Sequence, residues 1–289
     1  MHNVAQAPRT IRSRVLIGWF TRDDSVRFLM NDCHFAPALT ANEAEQKCRP
    51  FRDRTEALAE RDATAPARIA LNHDEQQHAQ RFINFLRSLG PTDIQDVIKI
   101  DLRDLVAHQY HVLVERSQDY RNRVATSHGW LQEALPCQLT GAPLNVRFSQ
   151  NGLNTALDVD LPHGEFAFLP DQNGQFAPRQ LLRHVTVMMN GKRMWLWAGY
   201  HRSFARMLAI NPAAAVPSAV VALTRNTLVP PNQPAGAAAG LPVDIGPFGR
   251  RPALFGDFFN PDLFMEVDLR RKRFQLQMRS TCVPIDDSV

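Results

Sequence analysis

The stretch WLWAGYHRSFARMLA, from Trp195 to Ala209, decides the architecture that we predict for this 289-residue chain. Its apolar beginning predicts a β-strand that ends at Gly199, and the remainder predicts a helix with Phe204, Met207 and Leu208 on one face. The first N–H groups of such a helix have no partner within it, and the helix dipole places partial positive charge there. The stretch therefore predicts a strand–turn–helix corner that can bind an anion such as phosphate.

The segments on both sides of this corner have strand patterns. His184 to Met189 and Arg193 to Ala198 flank the pair Asn190-Gly191, whose residues both tolerate the positive φ of a hairpin turn. The pair Asn211-Pro212 ends the predicted helix, and Val216 to Leu223 returns as a strand. The order predicted here is therefore hairpin, helix and strand.

The first ninety residues predict a mostly helical unit. Ala41 to Asp62 is rich in Glu, Ala, Arg and Gln, and Pro50 is expected to divide it into two helical pieces. Asn72 is a suitable N-cap for a helix from His73 to Leu89, where apolar residues recur at helical spacing. Before these helices, Val15 to Phe20 predicts a short strand or a buried segment.

Further strands are predicted in the middle and near the end of the chain. Val97 to Leu105 alternates as a strand does, and Tyr110 to Val124 is expected to be helical in part. Phe255 to Phe264 holds four phenylalanines and is expected to pack on the core. The other strand patterns cover Leu144 to Phe148, Thr155 to Leu161, Glu165 to Leu169 and Phe274 to Arg279.

The composition excludes two classes of protein. With 44% hydrophobic and 21% charged residues, the chain is not intrinsically disordered as a whole. Its longest apolar runs are far shorter than the ~20 residues that a membrane-spanning helix needs, and its N-terminus has no signal-peptide core. We therefore expect a cytoplasmic protein that does not act at a membrane.

Arginine supplies most of the positive charge. The formal net charge is +4, and 29 of the 33 basic residues are arginine, whose planar guanidinium groups suit phosphate and carboxylate. A net charge of this size does not by itself indicate a nucleic-acid partner. The absence of CxxC spacing predicts buried free thiols rather than a zinc site or disulfides. The cysteines are Cys33, Cys48, Cys137 and Cys282.

The corner and its flanking strands together resemble the ParB/sulfiredoxin-like superfamily. In that superfamily a strand ends in a Gly-x-[His/Glu]-Arg-x-x-Ala box that binds nucleotide phosphates. Val97 to Gln109 resembles the opening strand of the same superfamily, and the resemblance covers roughly residues 94–226. The residues that match the box are Gly199, His201, Arg202 and Ala205, with Tyr200 at the variable position.

The resemblance implies an α+β fold with a ParB/sulfiredoxin-like mixed-sheet core. A helical N-terminal unit would precede this core, and a strand-bearing C-terminal extension would pack on it. A segment rich in Pro, Gly and Ala would join the core to the extension. The predicted segments are 1–90 for the helical unit, 91–228 for the core, 229–246 for the linker and 247–289 for the extension.

The resemblance also implies the site residues. Arg202 is expected to be exposed and to give a nucleotide phosphate a bidentate contact. The kinase branch of the superfamily places an acidic residue after the first strand as the base that activates a hydroxyl, and Glu115 is the best-placed carboxylate. The alternative for Glu115 is pairing with neighbouring arginines on a solvated helix. The implied catalytic residues are Glu115 and His201, and the implied phosphate-binding residues are Gly199, Tyr200, His201, Arg202 and Ser203.

The implied ligand is a nucleoside triphosphate, ATP or CTP, accompanied by Mg²⁺. No resident metal site is predicted. His73 and His78 are five residues apart, which does not place them on one helical face or match HExxH, and His108 and His111 have no third ligand in register. Mg²⁺ would instead bind through the phosphates and one or two carboxylates. The candidate carboxylates are Asp101, Asp104 and Glu115.

Two functions follow from the resemblance. The favoured one is phosphoryl chemistry, by an ATP-dependent small-molecule kinase or a nucleotide hydrolase. The alternative is a non-enzymatic, nucleotide-gated DNA- or protein-binding switch of the ParB type. The formation of a homodimer is left open. Sulfinate repair is not expected, because Tyr200 stands where sulfiredoxin has its cysteine. Sequence-specific DNA binding is not expected either, because no recognition helix is visible after residue 228.

Overall fold

The computed structural model describes residues 10–58, 65–89, 92–107, 109–137, 184–189, 192–210, 216–224 and 251–270, and the backbone of residue 190 and of five further strands. Helices and mixed sheets occur together, which confirms the predicted α+β class. The chain divides into two compact units, Met1–Gln138 with Arg183–Arg271, and Leu139–Leu182 with Lys272–Val289. These bounds differ from those of the four segments predicted from the sequence.

The regular elements occur in runs of helices and runs of strands along the chain. The helices are α1 (Arg22–Asn31), α2 (Ala41–Glu56), α3 (His73–Leu89), α4 (Val114–Arg121), α5 (Ser127–Ala134) and α6 (Tyr200–Ala209). The strands are β1 (Thr10–Val15), β2 (Ile94–Asp101), β3 (Val106–Ala107), β4 (His111–Leu113), β5 (Val146–Asn151), β6 (Asn154–Val159), β7 (Glu165–Pro170), β8 (Phe176–Leu181), β9 (Thr186–Asn190), β10 (Arg193–Ala198), β11 (Ser218–Thr224), β12 (Met265–Arg270) and β13 (Leu276–Arg279).

The described residues of the first unit form two sheets. The five-stranded sheet has the order β2-β11-β9-β10-β3, in which β10 runs antiparallel to β9 and parallel to β3. The three-stranded sheet has the order β12-β1-β4, and both of its pairs are antiparallel. Strand β1, which lies within the predicted helical segment 1–90, therefore belongs to a sheet built with later parts of the chain.

The second unit is described by its strands alone. Its three-stranded sheet has the order β13-β6-β5, and β7 and β8 form a separate antiparallel pair. The strands predicted near residues 144–148, 155–161, 165–169 and 274–279 are all present, with bounds shifted by a few residues. Strand β8 is an addition that the sequence patterns did not indicate.

Helix α3 begins at the capping residue that the sequence predicts. Asn72 Oδ1 accepts a hydrogen bond from the Glu75 N–H at 2.9 Å, and Glu75 Oε2 accepts one from the Asn72 N–H at 2.8 Å, which confirms the predicted cap of α3. The predicted division of α2 is wrong, because Pro50 lies inside one continuous helix. The side chains of Cys48 and Arg52, on either side of Pro50, are both buried, and Arg52 Nη1 donates to Ser25 Oγ of α1 at 3.1 Å.

The predicted hairpin and the strand after the corner are confirmed. Strands β9 and β10 pair antiparallel, and β11 follows α6. Strand β2 ends at Asp101 rather than at the predicted Leu105. The Asp101 carboxylate accepts a hydrogen bond from the Arg103 N–H at 2.9 Å, which stabilises a 3₁₀ turn over Leu102–Asp104 and ends the strand there.

The phenylalanine-rich segment packs on the core, as predicted. Phe255 and Phe258 are completely buried. The ring of Phe258 packs edge-to-face against Phe204 of α6, with ring centroids 6.3 Å apart. Asp257 anchors the segment through two hydrogen bonds from Arg251 at 2.9 and 3.0 Å. The segment therefore covers one face of α6 and holds that helix in place.

The cysteines of the described residues are free thiols, as predicted. Cys33 and Cys48 are buried and Cys137 is partly exposed, whereas Cys282 lies outside the described residues. Burial raises the pKa of Cys33 to about 12, so its thiol stays protonated at neutral pH. In the part of the chain that the structure describes, every helix is too short or too polar to cross a membrane.

Candidate functional site

The strand–turn–helix corner forms where it was predicted. Strand β10 leads through Gly199 into α6, and Gly199 is the N-cap residue with a φ of 94°, in the left-handed region. A Cβ atom at this position would lie only 2.6 Å from Cγ2 of Val185. Both the backbone conformation and the close approach of Val185 therefore require glycine at this turn.

The sheet topology brings a second loop to this corner. Because β3 and β10 are parallel, the chain leaves both strands at the same edge of the sheet. The Gln109 N–H, just after β3, donates a hydrogen bond to the Tyr200 hydroxyl oxygen at 2.8 Å. The Leu113 N–H donates to Nε2 of His201 at 3.3 Å. The first turn of α6 consequently lies along residues 109–113.

Helices α4 and α6 pack side by side and begin at the same end. Their starts are joined by the bond from Leu113, the N-cap of α4, to His201. Near their ends, Arg206 Nη1 donates to the carbonyl oxygens of Val124 at 2.7 Å and Ala125 at 2.8 Å. The two helices therefore run in the same direction, and the partial positive charges of their N-termini lie close together.

The N-termini of both helices lack a side-chain cap. Leu113 and Gly199, the two N-cap residues, make no capping hydrogen bond with their side chains. In α6 the Ser203 N–H bonds to the Gly199 carbonyl at 2.9 Å, so the N–H groups of residues 200–202 precede the intrahelical ladder. This end of the helix pair has the electrostatic character that favours an anion.

Tyr200 and His201 both bind the segment that leads into α4. Tyr200 is buried, and its ring packs edge-on against Phe255 with ring centroids 5.6 Å apart. His201 is half-buried, and its Nε2 accepts the Leu113 N–H. That acceptor role places the ring proton on Nδ1 of a neutral imidazole. Both side chains position the box against the neighbouring helix.

Arg202 is buried, in contrast to the exposed position expected from the sequence. Only 7% of the residue is exposed, and its Nη1 donates to the carbonyl oxygen of Glu133 in α5. Burial lowers the pKa of Arg202 to about 10. Arg202 and Arg206 are four residues apart on α6, so both reach the α5 side of the helix. The expectation of a solvated Arg202 is therefore wrong.

Ser203 and Glu115 lie in different surroundings. Ser203 is completely buried, and its Oγ has no hydrogen-bond partner among the described residues. Glu115 is exposed in the first turn of α4, two residues after the Leu113 that contacts His201. The structure thus brings Gly199, His201 and the first turn of α4 into one neighbourhood, with Arg202 and Ser203 turned towards the interior.

Sequence reasoning missed two residues that meet at this corner. Gln109 contributes its N–H to Tyr200, and its side-chain amide lies 3.4 Å from Nε2 of His111. Burial lowers the pKa of His111, whose Nδ1 is buried without a partner among the described residues. The sequence showed His111 only as one half of a histidine pair, and no spacing rule connects residues 109–113 to the distant box.

No resident metal centre is found in the part of the chain that the structure describes. Groups of three or more His, Cys, Asp or Glu side chains able to hold a metal ion do not occur among those residues. His73 lies on the exposed start of α3, and His78 lies buried with its Nε2 2.9 Å from the Leu135 carbonyl oxygen. His108 lies outside the described residues.

Comparison with known proteins adds no relative. No protein-family model matches this chain. Searches of curated proteins and of solved structures also give no match. Membership of the ParB/sulfiredoxin-like superfamily therefore stays a prediction made from the sequence.

Proposed function

We propose that this protein binds a nucleoside triphosphate at the common N-terminal end of α4 and α6 and catalyses phosphoryl chemistry on it. The observation that carries the proposal is the pairing of two parallel helices whose N-termini lack side-chain caps. Each N-terminus is equivalent to about half a positive charge, and two together favour a multiply charged anion.

Backbone groups would make the principal phosphate contacts. The N–H groups of residues 200–202 precede the intrahelical bonds of α6 and would donate to phosphate oxygens. Gly199 supports this geometry because its left-handed conformation turns the chain from strand into helix within one residue. His201 would serve at the same end, where its imidazole ring lies in the first turn of α6 beside the N-cap of α4.

Glu115 supports the catalytic part of the proposal. Its carboxylate is exposed in the first turn of α4, at the end where the phosphates would bind. There it would orient or deprotonate the acceptor, either a small-molecule hydroxyl or water. An exposed carboxylate beside phosphate oxygens also fits the coordination that Mg²⁺ prefers, and the cation would offset charge on the transferring group.

The alternative, a nucleotide-gated switch without turnover, has support from a different observation. Arg116 and Arg123 lie close enough to Arg202 of the box for their charges to help lower the pKa of Arg202. Arg123, two residues after the end of α4, is half-exposed and forms an ion pair with Glu133, so arginine side chains extend from the box to the surface. Such a surface would suit an acidic partner whose binding depends on the nucleotide.

A thermal-shift screen with ATP, CTP, GTP and UTP, each with and without Mg²⁺, tests the proposal. A triphosphate at about 100 times its Kd should add ~2.7 kcal/mol of stability. Nucleotides that raise the Tm are then incubated with the protein, and release of the diphosphate is measured. Stabilisation with release supports the enzyme, and stabilisation without release supports the switch. The proposal is wrong if no triphosphate raises the Tm.

A further inference from the structure

Arg116 is a half-buried cation in the first turn of α4. It is the third residue of that helix, and Glu115 precedes it. Its Nε atom is buried and has no hydrogen-bond partner in the described structure. A buried N–H donor of this kind lacks the partner that burial normally demands.

Two further arginines lie in the surroundings of Arg116. After burial, the charges of Arg116 and Arg123 lower the pKa of Arg202, whereas Tyr120 and Glu133 raise it. Arg123 forms an ion pair with the Glu133 carboxylate at 2.8 Å, and Arg202 donates a hydrogen bond to the Glu133 carbonyl oxygen. Like charges repel, and an added anion beside these arginines would relieve the repulsion that Arg116 and Arg123 exert on Arg202.

Arg202 cannot serve this anion in its observed position. Its guanidinium group is buried and bonded to α5, although Arg202 is the third residue of α6 as Arg116 is of α4. The two helices begin together, so the third residue of each lies at a similar distance from the paired N-termini. Arg116 is the one of the two whose guanidinium group has an unused buried donor.

We propose that Arg116, rather than the box residue Arg202, is the arginine that contacts the bound phosphates. This inference rests on the proposed function and adds the class of ligand. Two helix N-termini and the buried, unpartnered Nε of Arg116 favour a ligand with several negative charges. The site therefore takes a di- or triphosphate group in preference to a single carboxylate or a phosphate monoester.

Calorimetric titration of the full chain tests this assignment. The probes are inorganic tripolyphosphate, which has no base, and ATP and CTP, which separate the contribution of the nucleoside. The proteins are wild type, Arg116→Gln, Arg116→Lys and the control Arg121→Gln, which removes the same charge from the exposed last turn of α4. Arg116→Gln should weaken binding by about 10- to 100-fold, the range for hydrogen bonds to charged groups. Arg116→Lys should lose less, and Arg121→Gln should change affinity by less than about twofold.

The outcomes separate this inference from the proposed function. If the wild type binds a probe and both Arg116 variants bind it equally well, Arg116 is not the phosphate ligand and the proposed function stands. If the wild type binds none of the probes, both fail. Arg116→Gln removes a buried Nε that has no hydrogen-bond partner among the described residues, so its Tm should stay close to that of the wild type. Should it nevertheless unfold, the affinity of Arg116→Lys decides the assignment.

Discussion

Replacing Arg202 by alanine should lower the free energy of unfolding by about 2–4 kcal/mol, through a lost charge-assisted hydrogen bond and a new cavity. The side chain is buried between α6 and α5, and its Nη1 donates to the Glu133 carbonyl oxygen. Alanine leaves that carbonyl without its donor. The sequence alone favoured an exposed Arg202 and hence a stable variant, and the observed burial reverses that expectation.

Urea denaturation of two matched variants checks the cause. Arg202→Met fills most of the space but cannot donate a hydrogen bond, so it should be destabilised less than Arg202→Ala. Arg121→Ala removes an exposed arginine and should change stability by less than about 0.5 kcal/mol. Wild-type stability in Arg202→Ala would mean that the buried contact contributes nothing. Because Arg202→Ala is expected to destabilise the fold, weaker nucleotide binding by this variant is not evidence that Arg202 contacts phosphate.

The Glu115→Gln variant should bind nucleotide nearly as well as the wild type and turn it over about 10²- to 10⁴-fold more slowly, the usual effect of losing a general base. Glutamine keeps the shape of the side chain but cannot accept a proton. Glu115 is exposed, so stability should change by less than about 1 kcal/mol. Release of nucleoside diphosphate and nucleotide affinity are measured on the same preparation.

Asp119→Asn provides a matched control for Glu115. Asp119 is also exposed on α4, one turn further from the N-terminus, so its loss should leave turnover unchanged. If Glu115→Gln and Asp119→Asn both turn over at the wild-type rate, Glu115 is a surface residue, which is the alternative that the sequence left open. If the wild type binds nucleotide but never releases a diphosphate, the switch becomes the better account.

The parts of the fold that depend on near neighbours could be predicted from the sequence. Asn72 caps α3 because its partner Glu75 is three residues away, and the β9–β10 hairpin depends on the two residues between its strands. The turn at Gly199 could be predicted because this glycine lies between an apolar strand and an amphipathic helix. Pro50 misled the prediction because its effect on α2 is opposed by tertiary contacts of the residues around it.

The parts that depend on distant pairing could not be predicted. Strand β1 pairs with β12 from the far end of the chain, and no periodicity in either segment identifies the partner. The same holds for the bond between Leu113 and His201, which sets α4 beside α6. Helical spacing places Arg202 on a face of α6, but only the position of α5 shows that this face is buried.

The central claim is that phosphate binds at the joint N-terminal end of α4 and α6, and a change of charge at His201 tests it most directly. ATP and CTP, each with Mg²⁺, are titrated calorimetrically into wild type, His201→Asn and His201→Asp. Helix N-termini favour acidic residues, so both variants should stay folded. Like charges a few Å apart repel by about 1–4 kcal/mol, so His201→Asp should bind at least about tenfold more weakly than His201→Asn. Equal affinities of these two variants, or no binding by the wild type, would contradict the claim.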